Sequence, residues 1–342
     1  MPSNHSNRDQ SALLVVEDDA AMLVAFRDIL ESEGYAVSTA ANGQDALTVL
    51  DRIQPDLILS DISMPYMDGI KLLDAVRDRP EGGAIPFIFI TARGTREDVF
   101  AAKAKGVDDY ITKPVTRQEL LAAVEARLQR TDELMLIQLK AVLRVLANGI
   151  EARDPYTLNH VEAVNAYAQA MATELGWSER ELEALEFGAI LHDIGKIGVP
   201  EKVLSKTGPL DPEEWDEMRR HPIYGAHMIR GTPYLEDAVP LVLHHHERWD
   251  GKGYPDGLAQ EDIPLGARLL AVADTFHAMT SDRPYRAAIP PEKTYEEILS
   301  LSGKQFDPKM VEAFQRCWKR GEVLRIHESA RKDAAVVFPR LS

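Results

Sequence analysis

Short apolar runs that end in polar side chains place the strongest constraint on the fold of the first third of this chain. Short apolar runs occupy residues 13–16 (LLVV), 57–60 (LILS, which ends in Ser60) and 87–90 (FIFI), and amphipathic segments separate them. This alternation of buried strands with helices is typical of a parallel α/β sheet. We therefore predict that residues 11–130 form a doubly wound α/β domain with a five-stranded parallel sheet.

Polar residues follow the predicted strands. Glu17 and Asp18 follow the first run, Asp61 follows the second, Thr91 follows the third, and Lys113 follows a last strand near residue 110. For any single Asp, capping of the next helix is the simpler interpretation. The carboxyl ends of parallel strands meet at one edge, however, and clustered carboxylates repel each other unless a hard cation neutralises them. The combination therefore predicts a Mg2+ site.

The spacing of these residues resembles that of the response-regulator receiver family: 43 residues separate Asp18 from Asp61, 30 separate Asp61 from Thr91, and 52 separate Asp61 from Lys113. The resemblance implies that Asp61 is the phosphoacceptor, that Glu17, Asp18 and Asp61 bind Mg2+, and that Thr91, Tyr110 and Lys113 form the switch. It also implies a sensor histidine kinase as the partner. For Tyr110, an ordinary core position remains the alternative.

Residues 131–150 are predicted to form a helix that joins two domains. Apolar side chains recur there at alternating steps of three and four, at Leu136, Leu139, Leu143, Leu146 and Ile150. Such a seam indicates either a short coiled coil in a homodimer or packing against the chain's own domain.

Histidines are concentrated in the second half, where eight of ten lie between His160 and His277. His192 and Asp193 close an apolar helical run, and Asp274 lies inside another. A single histidine of this kind is more often structural than a metal ligand. Several of them on separate helices indicate a site of imidazole and carboxylate that suits Fe, Mn, Co, Ni or Zn. We therefore predict an all-α domain over residues 151–325 that holds a metal centre.

The segments HDIGK, HHER and DGKGYPDGL, followed in order by ADTF, SDRPYR and FDP, resemble the HD-GYP family of cyclic di-GMP phosphodiesterases over residues 151–314. The resemblance implies metal-dependent hydrolysis of cyclic di-GMP to pGpG, and further to GMP as an open possibility. The metal ligands that it implies are His160, His192, Asp193, His221, His245, His246 and Asp274.

The same resemblance implies a substrate site beside the metals. With the catalytic ligand Asp193, it assigns phosphate binding to Lys196, Arg283 and Arg286, although surface ion pairing is the alternative for the two arginines. The signature loop contains Gly253, Tyr254 and Pro255. In the family this loop is linked to substrate fit and to diguanylate cyclase (GGDEF) partners. Tyr254 is expected either to stack on guanine or simply to pack.

This chain departs from the family pattern at two positions. Members with a third metal carry a Glu where Tyr156 stands, and Glu151 is too far along the chain to replace it, so we expect two transition-metal ions, with Fe or Mn favoured. His277 stands where the family usually has Asp, and His244 is surplus to the matching pair. The alternative functions are a catalytically weak module that binds a nucleotide or a partner, and an HD hydrolase of another nucleotide.

Composition excludes several other classes. The formal net charge of −16 argues against DNA binding through a broad basic surface. Cys317 is the single cysteine, so an intrachain disulfide and a thiolate zinc cluster are excluded. Apolar stretches of about 18 residues are missing, so we expect no membrane insertion and a cytoplasmic protein. Residues 1–10 are expected to be a disordered tail and residues 326–342 a C-terminal tail.

Overall fold

The computed structural model describes residues 11–80, 82–92, 107–151, 160–206, 208–282 and 287–337. The chain divides into two compact units between Ile137 and Gln138. Residues 1–10, Tyr156, Arg283 and Arg286 lie outside the described residues, so the predictions made for them stay predictions. Among the described helices, none is long and apolar enough to cross a membrane.

The first unit contains a five-stranded parallel sheet with the strand order β2-β1-β3-β4-β5. The strands are β1 (Ala12–Val16), β2 (Ala36–Ala40), β3 (Leu57–Asp61), β4 (Phe87–Thr91) and β5 (Asp109–Thr112). The α/β receiver fold that we predicted is therefore confirmed. The three apolar runs form the three inner strands, which are covered on both faces.

Alternating side chains of each inner strand supply two separate cores. Leu13 and Val15 pack with Leu30 on one face of the sheet, whereas Leu14 packs with Leu72 on the other. The helices of these faces are α1 (Ala20–Glu31), α2 (Gly43–Leu50) and α3 (Gly69–Arg77), and each begins after a side chain that accepts backbone N–H bonds at its N-terminus. The double covering holds the strand ends at a common edge.

A single helix, α4 (Arg117–Glu151), contains the predicted connector as its second half. It runs for 35 residues. The sequence has neither Gly nor Pro between Arg117 and Gly149, so nothing in the chain interrupts the backbone hydrogen bonds at the boundary we predicted near residue 131. The helix joining the two domains therefore begins earlier than expected.

The described part of the second unit is helical, as predicted. Its helices are α5 (His160–Glu174), α6 (Glu179–Leu191), α7 (Glu201–Leu204), α8 (Pro212–Met218), α9 (His221–Ile229), α10 (Val239–His244), α11 (Leu265–Thr280), α12 (Pro291–Ser300), α13 (Pro308–Lys319) and α14 (Glu322–Val337). One buried core joins α5, α6, α11 and α13, with Tyr167, Phe276 and Phe314 at its centre.

Helix α14 occupies much of the segment for which a tail was expected. Ile326 and Ala330 pack against the core, and His327 is only 7% exposed. Ala330 lies four positions after Ile326 and three after His327, so these side chains lie on one side of the helix. The helix therefore packs against the domain through Ile326 and Ala330, and its backbone continues to Val337.

Candidate metal centre

The acidic edge of the receiver sheet brings together the three predicted Mg2+ ligands. One oxygen from each of Glu17, Asp18 and Asp61 lies within 4.8 Å of the others. The Nζ atom of Lys113 lies 2.8 Å from Glu17 Oε2 and also donates to Asp61. Glu17 and Asp61 are buried, whereas Asp18 is exposed.

The charges at this edge depend on one another. Burial raises the pKa of Glu17 above its ordinary value, although the ammonium of Lys113 acts against this. Burial alone would lower the pKa of Lys113, but its hydrogen bonds to Asp61 and Glu17 outweigh that effect and raise it. The lysine therefore stays charged and offsets part of the carboxylate repulsion.

The two other predicted switch residues lie in different environments. Thr91 is buried at the end of β4, and its carbonyl oxygen accepts a hydrogen bond of 2.7 Å from the backbone N–H of Lys113. Tyr110 lies on β5 and is 41% exposed, so it is not an ordinary core residue. Asp19, which follows the acidic pair, caps α1 by accepting from Ala21 and Met22.

In the second unit, helix ends present most of the ligand histidines. His221 is the first residue of α9, His192 and His245 directly follow α6 and α10, and His160 is the first described residue of α5. The preceding helix α8 begins with the capping box that its sequence indicates, in which Asp211 and Glu214 each accept the other's backbone N–H. Helix termini thus converge on one point.

Three of these histidines each form the same type of local hydrogen bond. The Nδ1 atoms of His192, His221 and His245 lie 2.7, 2.8 and 2.8 Å from the carbonyl oxygen three residues earlier. A carbonyl oxygen can only accept, so Nδ1 carries the proton in each neutral ring. The Nε2 atom is then left with a lone pair, as a metal ligand requires.

Asp193 lies between two groups of ligands and directs one oxygen at each. Its Oδ1 is 3.3 Å from Nε2 of His221. Its Oδ2 is 3.5 Å from Nε2 of His192 and 3.9 Å from Nε2 of His160. A carboxylate with this orientation can bridge two metal ions.

The seven predicted ligands form two clusters, in each of which the ligand atoms lie within 4.8 Å of one another. We call them the Asp193 cluster and the His160 cluster. The Asp193 cluster consists of Asp193, His221, His245 and His246, and the His160 cluster consists of His160, His192 and Asp274. Neutral imidazoles and carboxylates in these numbers fit first-row transition metals.

Burial sets the protonation of this centre. It lowers the pKa values of His160, His245 and His246 well below their ordinary value, and neighbouring imidazoles add to the effect. Burial alone would raise the pKa of Asp193, but Lys196 and His192 outweigh it and hold the pKa well below its usual range. At neutral pH, His160, His245 and His246 are therefore neutral imidazoles and Asp193 is an ionised carboxylate, which are the states that bind metal.

A tight turn carries Lys196 to the same place. Residues Ile194–Gly198 form one 3-10 segment, and Lys196 Nζ lies 2.5 Å from Asp193 Oδ2. A Cβ atom at Gly195 would lie 1.9 Å from the carbonyl oxygen of His221 and 2.4 Å from the amide nitrogen of Gly225. Only glycine permits this approach, which holds Asp193 beside α9.

The signature loop is held by a residue that our reading of the sequence missed. Glu247 is 3% exposed, and its Oε1 accepts hydrogen bonds of 2.8 Å from the N–H of Asp256 and 3.0 Å from that of Gly257. A Cβ atom at Gly253 would lie 2.4 Å from the Cα atom of Glu247. A glutamate directly after a histidine pair was the available signal for this role.

Tyr254 packs beside the metal ligands. Its ring centroid lies 4.8 Å from that of His246, and the guanidinium of Arg219 lies 5.8 Å from the Tyr254 ring. Burial raises the pKa of the Tyr254 phenol. His244, the surplus histidine, belongs to neither cluster, and its Nδ1 lies 3.8 Å from Glu247 Oε1. His277 contacts His160.

Fold and site together define a receiver domain joined to an HD-type domain of the metal-dependent hydrolase class. The response regulator receiver domain family matches residues 13–125, and the HD domain family matches residues 144–310.

Two relatives match nearly the whole chain. A cyclic di-GMP phosphodiesterase of Thermotoga maritima is 35% identical, with 90% of each chain covered. The cyclic di-GMP phosphodiesterase response regulator RpfG of Xanthomonas campestris is 34% identical over 89% of this chain and 87% of its own. A 3'3'-cGAMP-specific phosphodiesterase of Vibrio cholerae is 36% identical over 52% of this chain and 35% of its own. The chain belongs to the HD-GYP cyclic di-GMP phosphodiesterase family of response regulators.

Proposed function

We propose that this protein hydrolyses cyclic di-GMP at the centre formed by the Asp193 and His160 clusters, and that phosphorylation of Asp61 controls the reaction. The observation that carries the proposal is the orientation of Asp193, whose two oxygens lie 3.3 and 3.5 Å from imidazole nitrogens of different clusters. This arrangement suits a pair of ions that share one carboxylate.

The ligand chemistry, imidazole and carboxylate without thiolate, suits two first-row ions. From the family resemblance we expect Fe or Mn ahead of Ni, Co and Zn. When bound, such a pair supplies Lewis acidity and lowers the pKa of a water molecule to the range in which it can attack a phosphate diester. The acidic edge of the receiver domain suits Mg2+, which prefers carboxylate oxygens.

The protein's own residues then have distinct tasks. Asp193 stays ionised, so it acts as a ligand and not as a proton donor. The ammonium of Lys196 lies next to it and can offset charge on the non-bridging phosphate oxygens. The loop anchored by Glu247 holds Tyr254 beside His246, where its ring can help to orient the substrate. The expected first product is linear pGpG, and GMP is the product of any second cleavage.

Another cyclic dinucleotide is the second candidate substrate, because one relative is named as specific for 3'3'-cGAMP. The two substrates share the phosphate diester and differ in one base. The comparison therefore tests base recognition while the metal chemistry stays the same.

The test is product chromatography on protein loaded anaerobically with Fe2+ or Mn2+, with each dinucleotide supplied separately and in competition. We expect cyclic di-GMP to yield pGpG, Asp193→Asn to abolish turnover, and His327→Asn, a change of a buried histidine outside both clusters, to retain it. Uncut cyclic di-GMP with a fully loaded centre, or full turnover by Asp193→Asn, would refute the proposal.

Regulation and assembly extend the same proposal. A sensor histidine kinase in the cytoplasm is the phosphodonor that a receiver domain implies. Helix α4 leaves apolar side chains exposed next to the predicted seam, among them Met135, Ile137, Val142 and Val145, which supports a homodimer through this helix. The test compares wild type with Asp61→Asn, each with and without a small-molecule phosphodonor. The oligomeric state is measured by analytical ultracentrifugation, and the phosphodiesterase activity is measured alongside it. Equal behaviour of the two proteins would contradict this scheme.

The signature loop supports a further partner. Lys252 and Asp256 of this loop are exposed, so we propose it as the contact for a GGDEF protein. Reversal of the Lys252 charge by Lys252→Glu is expected to weaken capture of a purified diguanylate cyclase without changing metal content. Unchanged capture would contradict this contact.

A further inference from the structure

His277 occupies a buried position against the metal centre. It lies on α11, one turn after Asp274, and it is 7% exposed. Its Nδ1 atom lies 2.9 Å from the Nδ1 atom of His160, and the two ring centroids are 4.9 Å apart. The distance is that of a hydrogen bond between two imidazoles.

This contact makes His160 different from the ligand histidines at the other helix ends. His192, His221 and His245 each use a backbone carbonyl three residues earlier to hold Nδ1. His160 instead directs its Nδ1 at a side chain on another helix. The orientation of this one ring therefore depends on the residue at position 277.

The direction of the bond follows from the surroundings of His160. Its Nε2 atom lies 3.1 Å from Nε2 of His192 and 3.5 Å from Oδ1 of Asp274, so Nε2 is the ligand atom. A neutral imidazole that binds a metal through Nε2 carries its proton on Nδ1. The Nδ1 of His277 must then accept, and its own proton lies on Nε2.

A neighbouring hydroxyl is compatible with this tautomer. The Oγ atom of Ser281 lies 3.3 Å from Nε2 of His277 and 3.5 Å from its Nδ1. Because Oγ lies almost equally far from both nitrogens, it packs beside the ring and selects neither tautomer. The orientation of the His160 ring therefore rests on its contact with His277.

We infer that His277 is a positioning residue, which holds His160 as a ligand by accepting its Nδ1 proton with a neutral imidazole. This inference rests on the metal centre of the proposed function. A neutral acceptor polarises the ligand ring less than a carboxylate does, because hydrogen bonds to charged acceptors are about twice as strong. The His160 cluster therefore binds its ion more weakly than it would with a carboxylate at position 277.

Three substitutions separate acceptor chemistry from packing. His277→Asn places an amide oxygen close to the position of Nδ1, His277→Ala removes the acceptor, and His277→Asp supplies a charged one. Metal binding to the full-length apoprotein is measured with Zn2+ or Mn2+ in competition with a chromophoric chelator, together with the number of ions bound.

We expect His277→Ala to weaken binding of one of the two ions by about 10-fold to 100-fold, the usual effect of losing a hydrogen-bond partner of a ligand. His277→Asn should bind close to wild type, and His277→Asp more tightly. The matched control is His327→Asn, since His327 is also 7% exposed and lies near Phe276 outside both clusters. It should leave both ions unaffected.

Wild-type metal affinity in His277→Ala would overturn the inference, and so would an Asn variant as weak as the Ala variant. If His277→Ala does not fold, the other two variants decide the question: an Asp variant that binds no more tightly than wild type, or an Asn variant that binds at least 10-fold more weakly, rejects the inference. The measurement uses no nucleotide. Its failure is therefore distinguishable from failure to hydrolyse cyclic di-GMP.

Discussion

Gly195→Ala is a small change that should damage the metal centre severely. The added Cβ atom would lie 1.9 Å from the carbonyl oxygen of His221 and 2.4 Å from the amide nitrogen of Gly225. Both neighbours are backbone atoms, so neither can rotate away. Ordinary contact begins at 3.4 Å, so the turn must move by about 1.5 Å from α9, a larger shift than well-packed interiors usually absorb.

Two losses follow from that displacement. Overpacking typically costs about 1–3 kcal/mol, and the backbone clash places Gly195→Ala at or above the upper end of that range. The turn also carries Asp193 and Lys196, so the bridging carboxylate leaves its place beside His221. A misplacement of about 1 Å can cost about 100-fold in rate, so turnover should fall at least that far.

Thermal denaturation and metal content are the assays, and Gly149→Ala is the matched control. Gly149 lies on α4, and a Cβ atom there would meet nothing within 4 Å. The same chemical change should therefore stabilise that helix by about 0.5 kcal/mol or more. A Gly195→Ala protein with the wild-type melting transition and two bound ions would refute the reasoning.

Three further predictions concern charge and hydrogen bonding. Because burial lowers the pKa values of His160 and His245 below their ordinary 6.5, the unfolded chain binds more protons than the folded one at acidic pH. In this respect, the free energy of unfolding of the apoprotein, measured by urea denaturation, should be constant above about pH 6.5 and should decrease as the pH is lowered further. A free energy of unfolding that increases on acidification would contradict this. Glu247→Ala removes the acceptor for two loop N–H groups. The substitution should lower the free energy of unfolding by about 2 kcal/mol. The fold increase in KM should exceed the fold decrease in metal content, whereas an unchanged KM would argue against the anchoring role. Lys113→Met leaves Glu17 without its ammonium partner and should slow phosphorylation from a small-molecule phosphodonor, as measured by mass spectrometry of the intact protein; an unchanged rate would count against this role of Lys113.

Inner strands could be predicted from the sequence more readily than edge strands. β3 and β4 are buried along their whole length, and their apolar runs made them visible. β2 lies at the edge of the sheet and has the sequence AVSTA, in which only Ala40 is buried. An edge strand needs little apolar surface, so its composition carries little signal.

Part of the predicted ligand set was indicated by the sequence for a different reason, and the family resemblance supplied the rest. His192 and Asp193 interrupt an apolar helical run, where a polar pair has few structural explanations. The functions of Glu247 and His277 were not accessible, because each depends on which backbone or ring lies opposite it in three dimensions. The start of α4 was missed since a boundary between domains need not interrupt a helix.

The hydrogen bonds of the ligand rings also determine how the centre comes apart. His192, His221 and His245 each find their orienting carbonyl within the same turn of chain, so these rings are preorganised whenever their own helix end is formed. His160 depends on a partner 117 residues away. Loss of tertiary packing between α5 and α11 would free the His160 ring first, while the other three rings would keep their orientation. The rings of one metal centre therefore differ in robustness, because local structure maintains three of them and the packing of two distant helices maintains His160.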